Sequence, residues 1–319
     1  MKLKTQTAAA QLEPVRNTRW SRVRRRLLES WPWYLMVVIP IIYTIIFDYV
    51  SMYGIVMAFQ DYKASKGFFG SPWVGFKHFI RFLKFPGLPK MLVNTLRISL
   101  LSISMFPCSI IFALFLNEIT HKRYKKTSQM ITYMPHFMSE VVVCSLVIMI
   151  LDTEIGPLAK LIEWITGQPY DTMADPQAFP WVYVLSGLWK NIGWGSILYL
   201  SALSSVSSEE VEAARIDGAS RFQIMWHINL PTIIPTIAVQ LILRFGSLFG
   251  VGWEKILLLQ NDLTQDVSQV LATYTYMIGL QGGQYSYAAA IGLVNKAINL
   301  AILLIANRIT KKLTSVGLT

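Results

Sequence analysis

The sequence predicts an all-α integral membrane protein with six transmembrane helices, and three observations carry that prediction. Apolar residues make up 53% of the 319-residue chain and charged residues only 15%, too little polar material to coat a soluble surface. Six runs are long and apolar enough to cross a hydrocarbon core, which takes about 20 residues at about 1.5 Å rise each. Lysine and arginine gather in alternate connecting segments, as they do where loops stay in the cytoplasm.

The six runs lie near 31–52, 92–116, 131–151, 181–202, 232–250 and 289–307. Residues 1–30 form a basic tail that includes Arg22 and the run Arg24, Arg25, Arg26. That tail is too long, and followed by too long an apolar stretch, for a cleaved leader, so 31–52 reads as a true span. Seventeen Lys and Arg fall in 1–30, 117–128, 203–231 and the stretch after 307, against eight in 53–90, 153–180 and 251–288. Both termini, including the tail 308–319, and the segment 203–231 are therefore expected in the cytoplasm. Neither low-complexity sequence nor an internal repeat is visible, so 31–307 reads as one membrane domain.

Between the fourth and fifth runs lies a polar insert, SSEEVEAARIDGASRFQIMWHINLP, residues 207–231. Ser207 with Glu210, and Ser220 with Gln223, have the spacing of capping boxes, and Gly218 suits the end of a first short helix. Pro231 then suits the start of the next span, where its missing N–H is no loss. A helix-turn-helix could read DNA, but 207–231 holds two arginines against four acids, and a net negative module does not meet phosphate. The alternative is docking of a short helix into a groove on a protein partner. Ala213, Ala214 and Ala219 allow close approach there, with Phe222, Met225 and Trp226 as anchors.

At this point the chain resembles a family. Glu212-Ala213-Ala214, three residues, Gly218, nine residues, then Ile228-Asn229-Leu230-Pro231 is similar in type and spacing to the EAA signature of ABC importer permeases. WKNIGWGSILYLSALSSV (189–206), MPHF (134–137), DVSQVLATYTY (266–276) and YSYAAAIGL (285–293) resemble the oligosaccharide and polysaccharide members of that family. The resemblance covers the chain from about residue 31 onward and implies the type I importer architecture. It implies that Glu212, Ala213, Ala214, Asp217, Gly218, Phe222, Leu230 and Pro231 form a coupling segment seated on an ATP-binding subunit. It also implies a bacterial cytoplasmic-membrane location, a second and different permease chain, two ATP-binding subunits, an extracytoplasmic solute-binding protein and a saccharide substrate.

The residues agree that energy comes from elsewhere. The chain has no G-x-x-x-x-G-K-[ST] to cradle nucleotide phosphates, so ATP and Mg are expected on the partner subunits and no cofactor on this chain. No H-E-x-x-H occurs, and His78, His121, His136 and His227 are scattered, so no metal site and no catalytic residues are expected. Cys108 and Cys144 both lie in apolar runs and read as small core residues. His136 and Glu140 are four apart on one helical face, which suits a structural hydrogen-bonded pair better than a ligand set. They supply the competing reading, an intramembrane enzyme acting on a lipid-linked or polysaccharide substrate with this pair as acid and base.

Four cations fall within spans: Arg97, Lys190, Arg244 and Lys296. Each is costly in hydrocarbon, by about 2.5 to 3.5 kcal/mol at the centre, and so needs a reason. Span counting puts all four in the outer half and Glu140 nearer the cytoplasm, leaving the cations without a carboxylate from this chain. Arg97 lies close enough to the outer boundary to snorkel, while Lys190, Arg244 and Lys296 would line a watery path for a polar saccharide, an acidic one such as a uronate polymer of the alginate kind, or pair with carboxylates or backbone carbonyls of a second permease. Trp189 and Asn191 join Lys190, Arg244 and Lys296 as expected path residues, since flat aromatic faces stack on sugars and amides bind hydroxyls. The family resemblance implies that the outer segments 53–90, with GFKHFIRF (75–82), and 153–180 meet the delivery protein, while the basic tail 1–30 is expected to contact anionic membrane lipid.

Overall fold

A computed structural model describes Trp20 and residues 29–314 of the chain. The expected tail 1–30, with Arg22 and Arg24 to Arg26, lies largely outside the described residues, whereas the tail 308–319 is described as far as Thr314, where it continues the last helix. The chain divides into two compact units, residues 1–54 and 55–319.

The first unit is built on α1 (Trp31–Thr44), which continues through a π turn at Ile45–Tyr49 into Val50–Met52. None of these residues is buried, and the apolar helical run reaches Phe59, 29 residues from Trp31. A helix apolar on every face has no soluble surface to present and suits lipid.

The second unit begins with an aromatic segment around α2 (Lys77–Leu83). The long helices follow. α3 (Leu88–Ser104) and α4 (Phe106–Asn117) meet at Met105, where Pro107 opens the second helix. α5 (Lys122–Tyr133) and α6 (Glu140–Leu151) flank a tight turn, and α7 (Pro157–Thr166) closes that region. α8 (Phe179–Leu203), of 25 residues, packs on α4, α5, α3 and the fifth span. α9 (Ser208–Ile216), α10 (Arg221–Ile224) and α11 (Leu230–Gly246) lead on to α12 (Trp253–Leu259), α13 (Leu271–Tyr276) and α14 (Tyr285–Thr314). The one isolated bridge, Gln60 with Trp73, is the only extended pairing among the described residues.

Among the described residues four helical runs are long and apolar enough to cross a membrane, Trp31–Phe59, Leu88–Asn117, Arg221–Gly246 and Tyr285–Lys312, and a bent pair makes up to five. Two of the six expected runs thus depart from a plain span. α8 is long enough, about 37 Å at 1.5 Å per residue, but Lys190, Asn191 and its glycines and serines dilute its apolarity. The run 131–151 is not one helix: Lys122–Phe137 and Glu140–Leu151 meet at 103°. The reason is local. Pro135 enters a 3-10 turn, Met134–Phe137, and Met138 and Ser139 are extended, at ψ 142° and 154°. Ser139 then caps α6 by accepting from Val142 N–H at 3.3 Å.

Three buried clusters hold the second unit together. Phe106, Ile110, Ala113, Tyr199, Leu203 and Ile233 join α4, α8 and α11. Ile98, Cys144, Phe179, Ile256 and Leu259 join α3, α6, α8 and α12. Phe82, Met91, Phe249, Leu271, Tyr287 and Ile291 tie α2 and α3 to α13 and α14. Cys144 is 1% exposed within its cluster, while Cys108 is only half-buried. Backbones come closest at Gly193, where any side chain would run into the Thr132 carbonyl of α5, the usual role of a small residue between membrane helices.

The non-helical stretch after α11 is held by side chains from neighbouring helices as well as by its own turns. Phe249 N–H donates to Asn299 Oδ1 at 2.9 Å, Asn295 Nδ2 donates to the Phe249 carbonyl at 3.2 Å, and Ser99 Oγ donates to the Leu248 carbonyl. Irregular backbone at membrane depth is tolerated only with such partners.

His78 anchors the segment before α3. Its Nε2–H donates to the Gln60 carbonyl at 3.1 Å, while buried Nδ1 has no partner. Burial lowers its pKa below the ordinary 6.5, against the raising effect of the Gln60 carbonyl. A depressed histidine contributes stability that is fully present above about 6.5 and declines as pH falls from there through the folded value. The hydrogen-exchange protection factors of residues 60–82, after correction for the intrinsic pH dependence of exchange, are accordingly expected to fall between pH 7 and pH 5. His78→Gln, which keeps a donor toward Gln60 but cannot titrate, should remove that pH dependence.

Candidate functional site

Two places gather the expected functional residues. The first is the polar insert. Ser207 Oγ accepts from Glu210 N–H at 3.4 Å and opens α9. Gly218 ends it at φ +84°, a left-handed conformation that costs an ordinary side chain about 1 to 2 kcal/mol. Ser220 and Gln223 complete a capping box, with Ser220 N–H donating to Gln223 Oε1 at 2.7 Å and Gln223 N–H to Ser220 Oγ at 3.3 Å.

One detail differs from the expected order of helix, turn, helix and then span. α10 does not stop before the membrane: the helix runs from Arg221 to Gly246, passing a π turn at Met225–Asn229. Pro231 sits in the first turn of α11 and interrupts nothing. The two large apolar residues Phe222 and Trp226 are 67% and 65% exposed, beside Ile216 at 86%. Met225 and Leu230 instead pack against the cluster of α4, α8 and α11. Ala213 and Asp217 are exposed and Ala214 is half-buried. Glu212 lines a hollow of about 260 Å³ with Glu118, Ser208, Arg215 and Asn229. Asn229, 3% exposed, donates from Nδ2 to Glu118 Oε1 at 3.4 Å and so ties the insert to the end of α4.

The second place is a polar cavity of about 550 Å³, lined by Ser102, Ser109, Glu140, Tyr183, Gly187, Asn191, Trp194, Gln240, Arg244 and Lys255 among others. α8 supplies one wall, α11 another, and the break between α5 and α6 delivers Glu140 as the first residue of a helix. A helix N-terminus favours a carboxylate there. Lys190 reaches Glu140 and forms an ion pair with its Oε2, the two side chains 12% and 23% exposed.

That pair corrects two expectations. Lys190 does have a carboxylate from its own chain, and Glu140 stands at the same level as Lys190 rather than nearer the cytoplasm. Counting residues along one straight helix misplaced Glu140 because the chain turns by 103° before it. The same turn separates His136 from Glu140, which no longer share a helical face. His136 Nδ1 lies 2.9 Å from Asn191 Oδ1, so the imidazole donates, and its ring stacks on Trp194 with centroids 4.4 Å apart. Asn191 Nδ2 donates to the Gly187 carbonyl at 2.9 Å, which fixes the amide's orientation.

Of the expected path residues, Asn191 and Arg244 line this cavity, and Lys190 reaches it only through its ion pair with the lining residue Glu140. Arg244 lies over the Phe106 ring at 5.6 Å. Trp189 does not converge: it faces a separate, mainly apolar groove of about 730 Å³ shared with Arg97, Ile150 and Trp181. Lys296 is exposed on α14 and lies outside the cavity lining. For Trp189 the reason is helical rotation, since Trp189 and Asn191 are two positions apart on one helix and point to different sides. Lys255 is the residue that sequence reading missed, having been counted as an outer-loop cation. It is 6% exposed, donates from Nζ to the Tyr183 carbonyl at 2.8 Å and lies 4.7 Å over the Tyr183 ring. Gly187 makes room for it, a side chain there meeting Nζ at 3.1 Å. Among the described residues no group of three His, Cys, Asp or Glu is placed to hold a metal ion.

The cavity lining thus carries two cations, Arg244 and Lys255, against one carboxylate, Glu140, which is itself paired with Lys190 behind the wall, with amides and an indole beside them. The chain is similar to several known proteins. The family model described as binding-protein-dependent transport system inner membrane component matches residues 105–315. Protein LplB of Bacillus subtilis (strain 168) is 40% identical over 286 residues, covering 89% of this chain and 90% of its own. The polygalacturonan/rhamnogalacturonan transport system permease protein YteP of the same organism is 40% identical over 298 residues, 93% of each chain. A crystal structure of a bacterial ABC transporter involved in the import of the acidic polysaccharide alginate superposes with a TM-score of 0.81 at 37% identity, covering 92% of this chain and 99% of that one. The alginate transporter in complex with its alginate pentasaccharide-bound periplasmic protein matches with a TM-score of 0.81 at 36% identity, covering 93% and 100%.

Removing one partner of a shielded ion pair leaves an uncompensated charge and costs more than removing both. Lys190→Met is expected to destabilise the detergent-solubilised protein by about 2 kcal/mol, the partial exposure of Glu140 keeping the cost below that of a fully buried pair. Adding Glu140→Gln to Lys190→Met should recover much of the lost melting temperature; additive losses in the double variant would contradict the pairing.

Proposed function

The chain belongs to the binding-protein-dependent transport system inner membrane components, the permease subunits of ABC importers, and from that premise we propose that it moves an oligosaccharide or polysaccharide, preferentially an acidic, uronate-like one, across the cytoplasmic membrane. Members of this family are transport subunits, so the intramembrane-enzyme reading falls away, as does its acid and base pair.

The observation that carries the acidic preference is the charge of the polar cavity, where Arg244 and Lys255 line the wall and the one lining carboxylate, Glu140, is neutralised by its ion pair with Lys190. A carboxylate entering a watery, cation-rich cavity is held by charge-assisted hydrogen bonds, while Trp194 and Asn191 offer a face and an amide to the ring and hydroxyls. The names of the relatives, a polygalacturonan and rhamnogalacturonan permease and an alginate importer, support the same substrate class.

The working assembly on this reading holds a second, different permease chain, two ATP-binding subunits that bind ATP and Mg, and an extracytoplasmic solute-binding protein. Both termini and the 207–231 insert face the cytoplasm. Glu212, Ala213, Ala214, Asp217, Gly218 and the exposed Phe222 rest on an ATP-binding subunit, with Leu230 and Pro231 joining the insert to the fifth span. ATP-driven closure of those subunits acts through contacts that differ between two states, and the cavity alternates between outward and inward access. The outer aromatic segment around α2 is the surface that meets the binding protein and the lipid boundary.

The direct test purifies the chain with the products of its neighbouring genes and measures ATP hydrolysis with a binding protein and a panel of acidic and neutral oligosaccharides. Co-purified ATP-binding subunits and stimulation by the acidic class are expected; stimulation by neutral sugars alone would contradict the substrate class. Gly218→Val is expected to leave insertion intact while uncoupling hydrolysis from uptake, and normal uptake in that variant would remove the glycine from the coupling role. Lys190→Gln with Arg244→Gln should reduce uptake of an acidic saccharide about tenfold or more, roughly 1.4 kcal/mol, with a smaller effect on a neutral one.

A further inference from the structure

Resting on the reading of the cavity as a saccharide path, we infer that Glu140 is a tethered competitor for the substrate's carboxylates. It occupies Lys190 when the cavity is empty and must be displaced by a uronate group, which makes it a specificity-determining residue.

Three features lead there. Glu140 is the one carboxylate among the residues lining the cavity, and it is spent on Lys190 while Arg244 and Lys255 carry no carboxylate partner among the described contacts. The pair is only partly shielded, at 12% and 23% exposure, so a hydrated anion can reach it. Glu140 also stands just after the non-helical Met138–Ser139 link, at the first position of α6. Its side chain can therefore leave Lys190 without breaking a helical turn.

The exchange conserves charge. A uronate carboxylate takes the place of the Glu140 carboxylate on the Lys190 ammonium, and Glu140 turns into the water of the cavity, where Arg244 and Lys255 offset the added negative charge. No covalent bond changes and no proton need move. A neutral saccharide has nothing to exchange and leaves the pair closed. The competitor serves transport as well as selection: by reclaiming Lys190, Glu140 lowers the hold on the substrate and allows its release.

The test measures saccharide-stimulated uptake by the complete importer in proteoliposomes, with a uronate oligosaccharide and a neutral one of equal length. Glu140→Gln is expected to lower the KM for the uronate about tenfold, about 1.4 kcal/mol, and to leave the KM for the neutral sugar within about twofold. In a Lys190→Gln background the same Glu140→Gln change should bring no gain, because the contested cation is gone. Glu140→Asp keeps the charge on a shorter arm and is expected to lower the uronate KM by a smaller factor, which carries the test should the glutamine variant fail to assemble. A KM that rises for both sugars, or a gain that persists without Lys190, overturns the inference by leaving Glu140 a purely structural partner. Uptake of neither sugar by the unaltered importer would instead overturn the saccharide reading on which it rests.

Discussion

Hydrocarbon offers no hydrogen bonds, so every place where this chain leaves the helix within the membrane must be satisfied by the protein itself or by water in a cavity. That constraint organises the second unit. The stretch after α11 is closed by Ser99, Asn295 and Asn299 from α3 and α14. The link between α5 and α6 is closed by Ser139 on one side and opens toward the polar cavity on the other. The break that delivers Glu140 to Lys190 is thus the same feature that makes the cavity polar. A continuous helix over 131–151 would have carried Glu140 elsewhere and left Lys190 unpaired.

The fifth span joins the two functional places mechanically. Its helix begins at Arg221, beside exposed Phe222 and Trp226, and reaches Arg244 on the cavity wall. The 23 steps between Arg221 and Arg244 span about 35 Å at 1.5 Å per residue. On the proposed reading, a continuous helix of that length carries a displacement at its Arg221 end to the cavity wall. Asn229 and the buried cluster of Tyr199, Leu203 and Ile233 lock its lower part to α4 and α8, so neighbouring helices follow. Coupling on this account needs no signal beyond rigid packing and two arrangements of one interface.

Much of this was legible in the sequence, and the reasons are physical. Helix caps are local, so Ser207, Gly218, Ser220 and Gln223 could be placed from spacing alone. The spacing of Glu212, Ala213, Ala214, Gly218 and Ile228 to Pro231 pointed to the family. What escaped depended on geometry between elements. MPHFMSE contains a proline and a capping serine, both turn signals, yet the surrounding apolar residues made 131–151 look like one span. Lys255 was hidden because a loop label says nothing of re-entry, although an apolar ILLL follows it. Trp189 and Lys296 were chosen by depth, and depth does not tell which side of a helix faces a cavity.

The account stands most directly on the claim that the cavity is aqueous and attracts anions. Gln240→Cys, in a chain with Cys108 and Cys144 replaced by alanine, places a thiol on its wall; Leu300→Cys, 56% exposed on α14, serves as the lipid-side control. In the assembled importer, the cavity thiol should react with a negatively charged methanethiosulfonate faster than with a positively charged one of similar size, after correction for their intrinsic rates. An acidic oligosaccharide should slow the reaction, and the control should stay unreactive. A cavity thiol as inert as the control, or one that prefers the cationic reagent, would contradict the account.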